Sequence, residues 1–452
     1  MTMNTPFEPL PPLDRRHFLR HTAAAAAIPV LGSCAAVGAS AADGLPTATL
    51  RVGLVGCGGR GTGAAYNAVM ADDNAVLVAC ADTFPDKIES SLAALEEWLG
   101  PREADPETGA EARTDRRSRL QVEPERCYTG FDAHEQLLKS GVDVVILATP
   151  PVFRPGHLRA AVEAGVHIFC EKPVAVDAPG VREVLEIVER AREKRLALVS
   201  GLCWRYNVRH RALFEKLADG AIGDVQAFYS TYNSTPLPYY EREPGWSDME
   251  YQVRNWKSYQ WLCGDHITEQ AIHSLDKQAW AFGDEPPLSV TAVGGQQART
   301  SGNIFDHFSA TFEYANGAKA FHMCRQMDGC STDNSDYVYG SQGNAVIQGW
   351  TPLHQITGKV DWTYEGEGNE MYQAEHDALF ASIRKGEPIN DGVYMSRSTM
   401  LAVMARMAAY TGQTLTWEQA LASEERFGLE HYSMDAVVAL REVPVPGRTP
   451  FV

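Results

Sequence analysis

The feature that most constrains this chain is a glycine loop between a short apolar run and a helical stretch. Residues 50–55 have the pattern of a buried strand, and residues 56–61 read GCGGRG. In such a loop the first glycine permits a tight turn, and the second lets backbone amides approach a pyrophosphate at the next helix N-terminus. The spacing alone is a weak signal, because a glycine turn in an unrelated α/β fold has the same letters.

A carboxylate at the end of the next predicted strand strengthens the dinucleotide interpretation. Residues 75–81 form a second apolar run, and Asp82 follows directly. An acidic side chain at this position binds ribose hydroxyls and repels a 2′-phosphate, so Asp82 favours NAD as cofactor. Arg60 and Thr83 are the residues that leave NADP as an alternative cofactor.

The first half of the chain repeats a strand–helix–strand rhythm. Apolar runs at 142–148 and 167–170 predict two more buried strands, with a helix near 154–164 between them. Residues 101–125 are polar and predict a surface excursion. The rhythm predicts an α/β fold whose first domain, residues 49–175, is a Rossmann doubly wound parallel sheet that binds NAD(P).

The second half has alternating strand signals and a strong hairpin turn at Asn316-Gly317. We expect residues 176–452 to form a C-terminal α/β domain with a large open, mainly antiparallel sheet, for substrate binding and oligomerisation. Its C-terminal helices are free to pack back on the first domain. The predicted strands are 225–233, 289–295, 305–314 and 319–325, with a turn at 341–344, and the predicted helices are 375–384 and 396–411.

Length, charge and cysteine content limit the function classes. A chain of 452 residues is too long for one ordinary core, which favours two domains. The net charge of -18, from 40 basic and 58 acidic residues, repels phosphate backbones, so nucleic acid is not an expected partner. The nine cysteines include no Cys-x-x-Cys pair, so neither a metal site nor a redox dithiol is expected. A Cys324–Cys330 disulfide is not favoured.

The N-terminal residues have the pattern of an export signal. Paired arginines at 15–16 precede an apolar stretch at 22–31, which is typical of the twin-arginine route. This stretch is shorter than the ~20 residues that span a bilayer. Residues 39–41 (ASA) resemble a cleavage site, whereas residues 31–34 (LGSC) resemble a lipoprotein box that would anchor the chain to a membrane at Cys34. A disordered alanine-rich tail is the remaining alternative.

Residues 1–41 are therefore predicted to be a twin-arginine signal peptide. The mature protein is then periplasmic or otherwise extracytoplasmic. Proteins exported by this route cross the membrane folded, commonly with their cofactor inside, so few disulfides are expected.

Two further segments carry residues suited to acid–base chemistry. Residues 171–173 (EKP) follow a predicted strand at the sheet edge where ligands bind, and Lys172 there could stabilise a substrate alkoxide. A solvated surface lysine is the ordinary alternative. Residues 264–276 read GDHITEQAIHSLD. If this segment is helical from about residue 267, Glu269 and His273 share one face, and a carboxylate beside an imidazole suits a general base.

Other interpretations of residues 264–276 stay open. Asp276 follows His273 by three residues and is a second carboxylate able to orient it. Glu269 and His273 could alternatively be a pair of metal ligands, but one carboxylate and one imidazole are too few to specify zinc. The structural alternative is a helix capped by Asp265 with a buried, hydrogen-bonded His273.

Aromatic residues stand beside arginines at 204–207 (WRYN) and 254–256 (RNW). Aromatic rings pack on the apolar faces of sugars and polar side chains fix their orientation, although interdomain packing explains both clusters equally well. The candidate substrate contacts here are Arg205, Tyr206, Arg254 and Trp256.

Taken together, these motifs resemble the Gfo/Idh/MocA family of oxidoreductases, named after glucose–fructose oxidoreductase and inositol dehydrogenase. The resemblance runs from about Thr49 to at least Leu421. It rests on the order and spacing of GCGGRG at 56–61, ATPP at 148–151, EKP at 171–173, WRYN at 204–207, RNW at 254–256 and the run at 264–276.

The resemblance implies NAD or NADP, a sugar, polyol or glycoside substrate, and a dimer or tetramer built on the open sheet. It places the family's lysine on Lys172, often beside a cis peptide, and its acid and histidine on Glu269 and His273. Many members have Asp where this chain has Glu269. The candidate catalytic residues are Lys172, His273, Glu269 and Asp276. The candidate cofactor contacts are Gly56, Gly58, Gly59, Arg60, Gly61, Asp82, Thr149, Pro150, His157, Glu171 and Lys172, and His266 joins the substrate contacts.

The function expected from the sequence is an exported NAD(P)-dependent oxidoreductase with a tightly bound cofactor. Free NAD is scarce outside the cytoplasm, so the cofactor should be regenerated in place. Ping-pong exchange between two sugars achieves this, and so does an NAD-dependent glycosidase that works by transient oxidation and elimination. A non-catalytic nucleotide- or sugar-binding protein is the alternative from a different class.

Overall fold

The computed structural model describes residues 48–104, 112–349 and 351–452. The signal peptide predicted at 1–41, with Cys34, lies outside these residues. Within the described part of the chain, no helix has both the length and the apolar character needed to cross a bilayer.

Six strands form a parallel sheet in the first half. They are β1 Leu50–Val55, β2 Ala75–Asp82, β3 Cys127–Thr129, β4 Val144–Leu147, β5 His167–Cys170 and β6 Leu198–Ser200. The helices between them are α1 Gly59–Ala71, α2 Pro85–Leu99, α3 Ala133–Lys139, α4 Arg154–Ala164 and α5 Ala178–Glu193. Their order, β3-β2-β1-β4-β5-β6, is that of a doubly wound Rossmann sheet, which confirms the predicted fold class. The strand order reverses between β1 and β4, and a ligand crevice forms there at the strands' carboxyl ends.

The parallel sheet extends past residue 175, where the sequence predicted the domain boundary. Strand β6 pairs with β5 and receives backbone support from the second half, since Leu198 N donates to Ile389 O at 2.8 Å. No strand was predicted here although residues 196–199 (LALV) form an apolar run, and the domain boundary itself stays a prediction.

Nine strands form the second sheet. They are β7 Val225–Ser234, β8 Ser289–Gly295, β9 His307–Glu313, β10 Lys319–Gln326, β11 Ser335–Gly340, β12 Gly343–Gln348, β13 His354–Gly358, β14 Trp362–Thr363 and β15 Leu415–Thr416. The order is β14-β13-β12-β11-β7-β10-β9-β8-β15, with β7 and β10 parallel and the other pairs antiparallel. The predicted mainly antiparallel sheet is therefore confirmed. Its β9–β10 turn contains Gly317 at φ +81°, as Asn316-Gly317 predicted.

The remaining helices are α6 Val208–Ala218, α7 Asp248–Arg254, α8 Gln260–Cys263, α9 His266–Glu269, α10 Ile272–Ala281, α11 Met371–Lys385, α12 Gly392–Thr411 and α13 Trp417–Ala422. Helix α12 is buried along most of its length and shares a core with one face of the nine-stranded sheet. Helix α11 packs on the parallel sheet, where Leu379 and Phe380 share a core with β1.

Cysteine and potential metal ligands are dispersed in the described residues. All eight cysteines there are free, with Cys324 buried and Cys330 exposed. No group of three or more His, Cys, Asp or Glu side chains in the same residues is arranged to hold a metal ion.

Candidate active site

The glycine loop forms a cradle at the N-terminus of α1. Gly56 has φ +97°, and a Cβ there would lie 2.7 Å from Thr149 N. A Cβ on Gly61 would lie 1.9 Å from Gly56 O, so these two glycines are required by close packing. Gly58 and Gly59 differ, because no described atom lies within 4 Å of a Cβ at either position and both line an open cleft. The cradle therefore has room and helix N-terminal amides for a pyrophosphate.

Asp82 marks the ribose side of this cleft. Its carboxylate accepts hydrogen bonds from Cys57 N at 2.7 Å and Phe84 N at 3.0 Å. Burial raises the pKa of Asp82, while these two amides stabilise the charged form. The amides fix the carboxylate at the end of β2, and its remaining lone pairs can accept from ribose hydroxyls. The geometry fits NAD.

The opposite wall of the cleft contains the other predicted cofactor contacts that line it. Thr149 and Pro150 follow β4, and Thr149 Oγ1 lies 3.1 Å from His157 Nδ1. Burial lowers the pKa of His157 well below its usual value, so its ring is neutral at pH 7. Sequence reasoning missed Arg154, which is fully buried and donates to Thr149 O and Pro173 O. An arginine just after ATPP, at the start of a helix, was the only local signal.

Arg60 and Glu171 form an ion pair, and four predicted cofactor contacts are not among the cleft-lining residues: Arg60, Gly61, Glu171 and Lys172. Arg60 Nε is 3.2 Å from Glu171 Oε1, and the guanidinium lies 4.5 Å from the Tyr372 ring centroid. Glu171 is 4% exposed. The pair joins the glycine loop to the residue that precedes Lys172. Since Arg60 is neutralised there, it is not held at the ribose, where it would favour NADP.

Lys172 lies at the carboxyl end of β5. The Lys172–Pro173 peptide is cis, whereas the resemblance left open whether the cis peptide precedes or follows Lys172. Lys172 Nζ donates to Glu269 O at 2.6 Å and lies 3.5 Å from Glu269 Oε1. The backbone carbonyl and the carboxylate of Glu269 together hold the Lys172 side chain in one position. The structure therefore places Lys172 as a fixed cation just after the carboxyl end of β5.

The continuous helix expected from about residue 267 is wrong. Helix α9 ends at Glu269 and α10 begins at Ile272, so Glu269 and His273 do not share a regular helical face. The break is stabilised by neighbouring strands, because Ser234 and Gln326 both donate to Gln270 Oε1. Glu269 consequently pairs with Lys172.

His273 is buried and neutral. Burial, and then the charges of Lys172 and Lys277, lower the pKa of His273 well below its usual value. No described group hydrogen-bonds to its Nδ1. A neutral imidazole close enough to sense the Lys172 charge is suited to accept a proton. Asp265 does cap α9 and accepts from His266 N, as the structural alternative predicted.

Asp276 and Arg205 bind each other in the interior. Arg205 Nε lies 3.1 Å from both Asp276 carboxylate oxygens, and Ser398 Oγ donates to Asp276 Oδ1 at 2.8 Å. Arg205 also donates to Asp284 and stacks on the Tyr394 ring at 4.4 Å. The carboxylate of Asp276 is therefore engaged by groups other than His273.

The other predicted substrate contacts fall in two places. Tyr206 donates to Asp391 Oδ2 at 2.7 Å in the core, and burial lowers the pKa of His266 to about 3 beside Phe308. Arg254 and Trp256 instead line the cofactor cleft together with Asp82.

Comparison with known proteins agrees with this geometry. A family model described as an oxidoreductase family with an NAD-binding Rossmann fold matches residues 50–201. The GFO/IDH/MocA C-terminal domain matches residues 210–346. Both halves of the fold are thus recognised in the expected order.

Individual relatives are more distant. Inositol 2-dehydrogenase of Rhizobium meliloti (strain 1021) is 27% identical over 360 residues, which are 76% of this chain and 93% of that protein. Trans-1,2-dihydrobenzene-1,2-diol dehydrogenase of Mus musculus is 26% identical over 287 residues, 60% of this chain and 78% of that protein.

Two solved structures share the fold. An aldose-aldose oxidoreductase from Caulobacter crescentus, complexed with glycerol, has a TM-score of 0.63 at 18% identity, covering 81% of this chain and 99% of that one. A levoglucosan dehydrogenase in complex with NADH and L-sorbose has a TM-score of 0.63 at 16% identity, covering 82% and 99%. The chain belongs to the Gfo/Idh/MocA family of NAD-binding oxidoreductases.

Proposed function

We propose that this protein is an exported oxidoreductase that acts on a CH–OH group of a sugar, polyol or glycoside and keeps its NAD bound through turnover. The observation that carries the proposal is that Lys172, held by Glu269 just after the carboxyl end of β5, lies near enough to the buried His273 for its charge to lower the pKa of that imidazole. Relatives named for inositol and for a dihydrodiol support a hydroxyl substrate.

The residues divide the work of oxidising an alcohol. His273 accepts the hydroxyl proton, because its imidazole is neutral at pH 7. Lys172 stabilises the developing alkoxide, and Glu269 holds the ammonium in place at 2.6 Å through its backbone oxygen. The nicotinamide ring, when bound, supplies the hydride acceptor. The ion pair between Arg60 and Glu171 joins the glycine loop to the segment that contains Lys172.

The same residues serve either regeneration route. Exchange between two sugars and a glycosidase cycle of oxidation, elimination and re-reduction both need a base, a cation and a retained cofactor. Release of a free monosaccharide from a glycoside, without net cofactor reduction, would favour the glycosidase. An NAD-loaded protein that turns over no sugar, polyol or glycoside would favour the non-catalytic alternative.

We also propose a homo-oligomer that forms through the outer face of the nine-stranded sheet. Strand β10 alternates buried and outward residues, and Phe321 and Met323 are each 39% exposed. Tyr339 and Val293 extend the same apolar surface at 44% and 65% exposure. Such a patch is large for a free surface and suits a second copy of the chain. A protein that sediments as a monomer at micromolar concentration would contradict this.

Export with bound cofactor is tested by fractionating cells that express the full chain. We expect the wild-type protein outside the cytoplasm, with about one NAD(H) released per chain on denaturation. The matched variant has Arg15→Lys and Arg16→Lys and should stay in the cytoplasm with the same NAD(H) content, because neither substitution changes a candidate cofactor contact. Cytoplasmic wild-type protein would contradict export, and exported protein without nucleotide would contradict cofactor retention.

A further inference from the structure

One segment of the second half contributes residues to the lining of the NAD cleft. Residues 238–257, here named the roof, contain helix α7 and line the same cleft as Asp82. Asp82 marks the ribose next to the adenine, since the glycine loop takes the pyrophosphate. The roof residues that line the cleft are Pro238, Tyr240, Val253, Arg254, Asn255, Trp256 and Lys257.

The roof is fastened to the parallel-sheet half by an ion pair. Arg254 donates from both terminal nitrogens to Asp86, at 2.8 and 3.0 Å, in the bidentate geometry that makes such pairs strong. Its Nε donates to Glu250 at 2.9 Å. Three of the five N–H donors of the guanidinium are thereby used within the protein, so Arg254 has a structural role at the cleft.

Aromatic stacking adds to this fastening. The Arg254 guanidinium lies 4.0 Å from the ring centroid of Phe84 and 5.0 Å from that of Trp246. Phe84 N is one of the two amides that hold Asp82. Arg254 therefore contacts the turn between β2 and α2, whose backbone amide at Phe84 holds the Asp82 carboxylate.

The roof has its own internal hydrogen bonds. Asn255 accepts from Tyr240 N at 2.7 Å and donates to Tyr240 O and Tyr251 O at 3.0 and 3.1 Å. The hydroxyls of Tyr239 and Tyr251 are 2.9 Å apart. These hydrogen bonds join the loop before α7 to the helix itself, so the parts of the roof are bonded to one another.

We propose that the roof covers the adenosine half of bound NAD, and that the Asp86–Arg254 pair holds it closed, so that NAD leaves only when this pair opens. The inference rests on the proposed retention of the cofactor and names the device that achieves it. Asp86 is 51% exposed at its side chain, so the pair can open to solvent without unfolding either half.

The test is the rate of NADH release from the full chain. Protein loaded with NADH is mixed with excess NAD, and the loss of bound-NADH fluorescence is followed for wild type, Asp86→Ala, Arg254→Ala and the double variant. We expect Asp86→Ala to release NADH about tenfold faster, and Arg254→Ala at least as fast, because the latter also loses the stacking on Phe84 and Trp246. The double variant should be no faster than Arg254→Ala, because the two substitutions remove the same ion pair.

Arg242→Ala is the matched control. Arg242 pairs with Asp248 within the roof and makes no described bond to the parallel-sheet half, so its loss should leave the release rate unchanged. Thermal melts on each variant confirm folding. Unchanged release in both single variants would overturn the inference, as would an effect confined to Arg254→Ala or an additive double variant. Wild-type protein that binds no NADH would overturn the proposed function instead.

Discussion

Replacing Lys172 with methionine is expected to lower kcat by about 10³-fold while the protein keeps its NAD. The substitution removes the ammonium that stabilises the alkoxide but leaves a side chain of similar length. Lys172 contacts Glu269 through Nζ and does not line the pyrophosphate cradle, so NAD content should not change. Steady-state kinetics on polyols and aldoses, with NAD(H) quantified per chain, provide the measurement.

Lys172→Arg is the graded control for this prediction. It keeps the charge but replaces a compact ammonium with a planar fork that does not reproduce the 2.6 Å bond to Glu269 O. We expect its kcat to lie between those of the wild type and Lys172→Met. An NAD-loaded methionine variant with near wild-type turnover would show that Lys172 is not the stabilising cation.

Replacing His273 with asparagine is expected to lower kcat by roughly 10²- to 10⁴-fold, since the general base is lost. The pH dependence gives a second readout. Burial lowers the pKa of His273 below its usual value of about 6.5, so the wild-type base stays neutral until the pH falls through that lowered pKa. The decrease of kcat on the acidic side of its pH profile, called the acidic limb, should therefore lie below pH 6.5 in the wild type. This limb should be absent from the residual activity of His273→Asn.

Stability must be separated from catalysis in this experiment. A histidine whose folded pKa is below its unfolded value binds protons more readily when unfolded, so its contribution to stability is lost as the pH falls below about 6.5. Activity should be compared only at pH values where circular dichroism shows folded protein. His307→Gln, which removes a 40% exposed imidazole on β9, should keep the wild-type limb. An acidic limb that persists in His273→Asn would contradict the base assignment.

Much of the fold could be predicted because its signals are local. The apolar run of β1, the glycine loop and Asp82 lie within one strand–helix–strand unit, and each has a direct backbone reason. The turn at Asn316-Gly317 is similar, since only its own residues decide its conformation. Strand β6 was missed, because the apolar run at residues 196–199 is only four residues long and is compatible with a buried helix as well as a strand.

The parts of the site that the sequence did not reveal depend on long-range contacts. A helical period predicted that Glu269 would face His273, but hydrogen bonds from Ser234 and Gln326 stabilise a break at Gln270, and Glu269 turns to Lys172. No local pattern contains those partners, because they come from distant strands.

The arginines show the same limit. Arg205 and Arg254 were both candidates for sugar binding because each stands beside an aromatic residue. Arg205 instead pairs with Asp276 in the core, and Arg254 pairs with Asp86 from the other half of the chain. The sequence shows where an arginine stands, but the carboxylate that pairs with it depends on the tertiary fold.

The measurement that tests the central claim most directly is transfer of deuterium from substrate carbon to cofactor. The purified protein is mixed with inositols, aldoses and glycosides labelled at their carbinol carbons, quenched within one turnover, and its nicotinamide is analysed by mass spectrometry. We predict label in the reduced cofactor of the wild type with at least one of these compounds, and none with His273→Asn. NAD-loaded wild-type protein that acquires no label from any member of the panel would contradict the account.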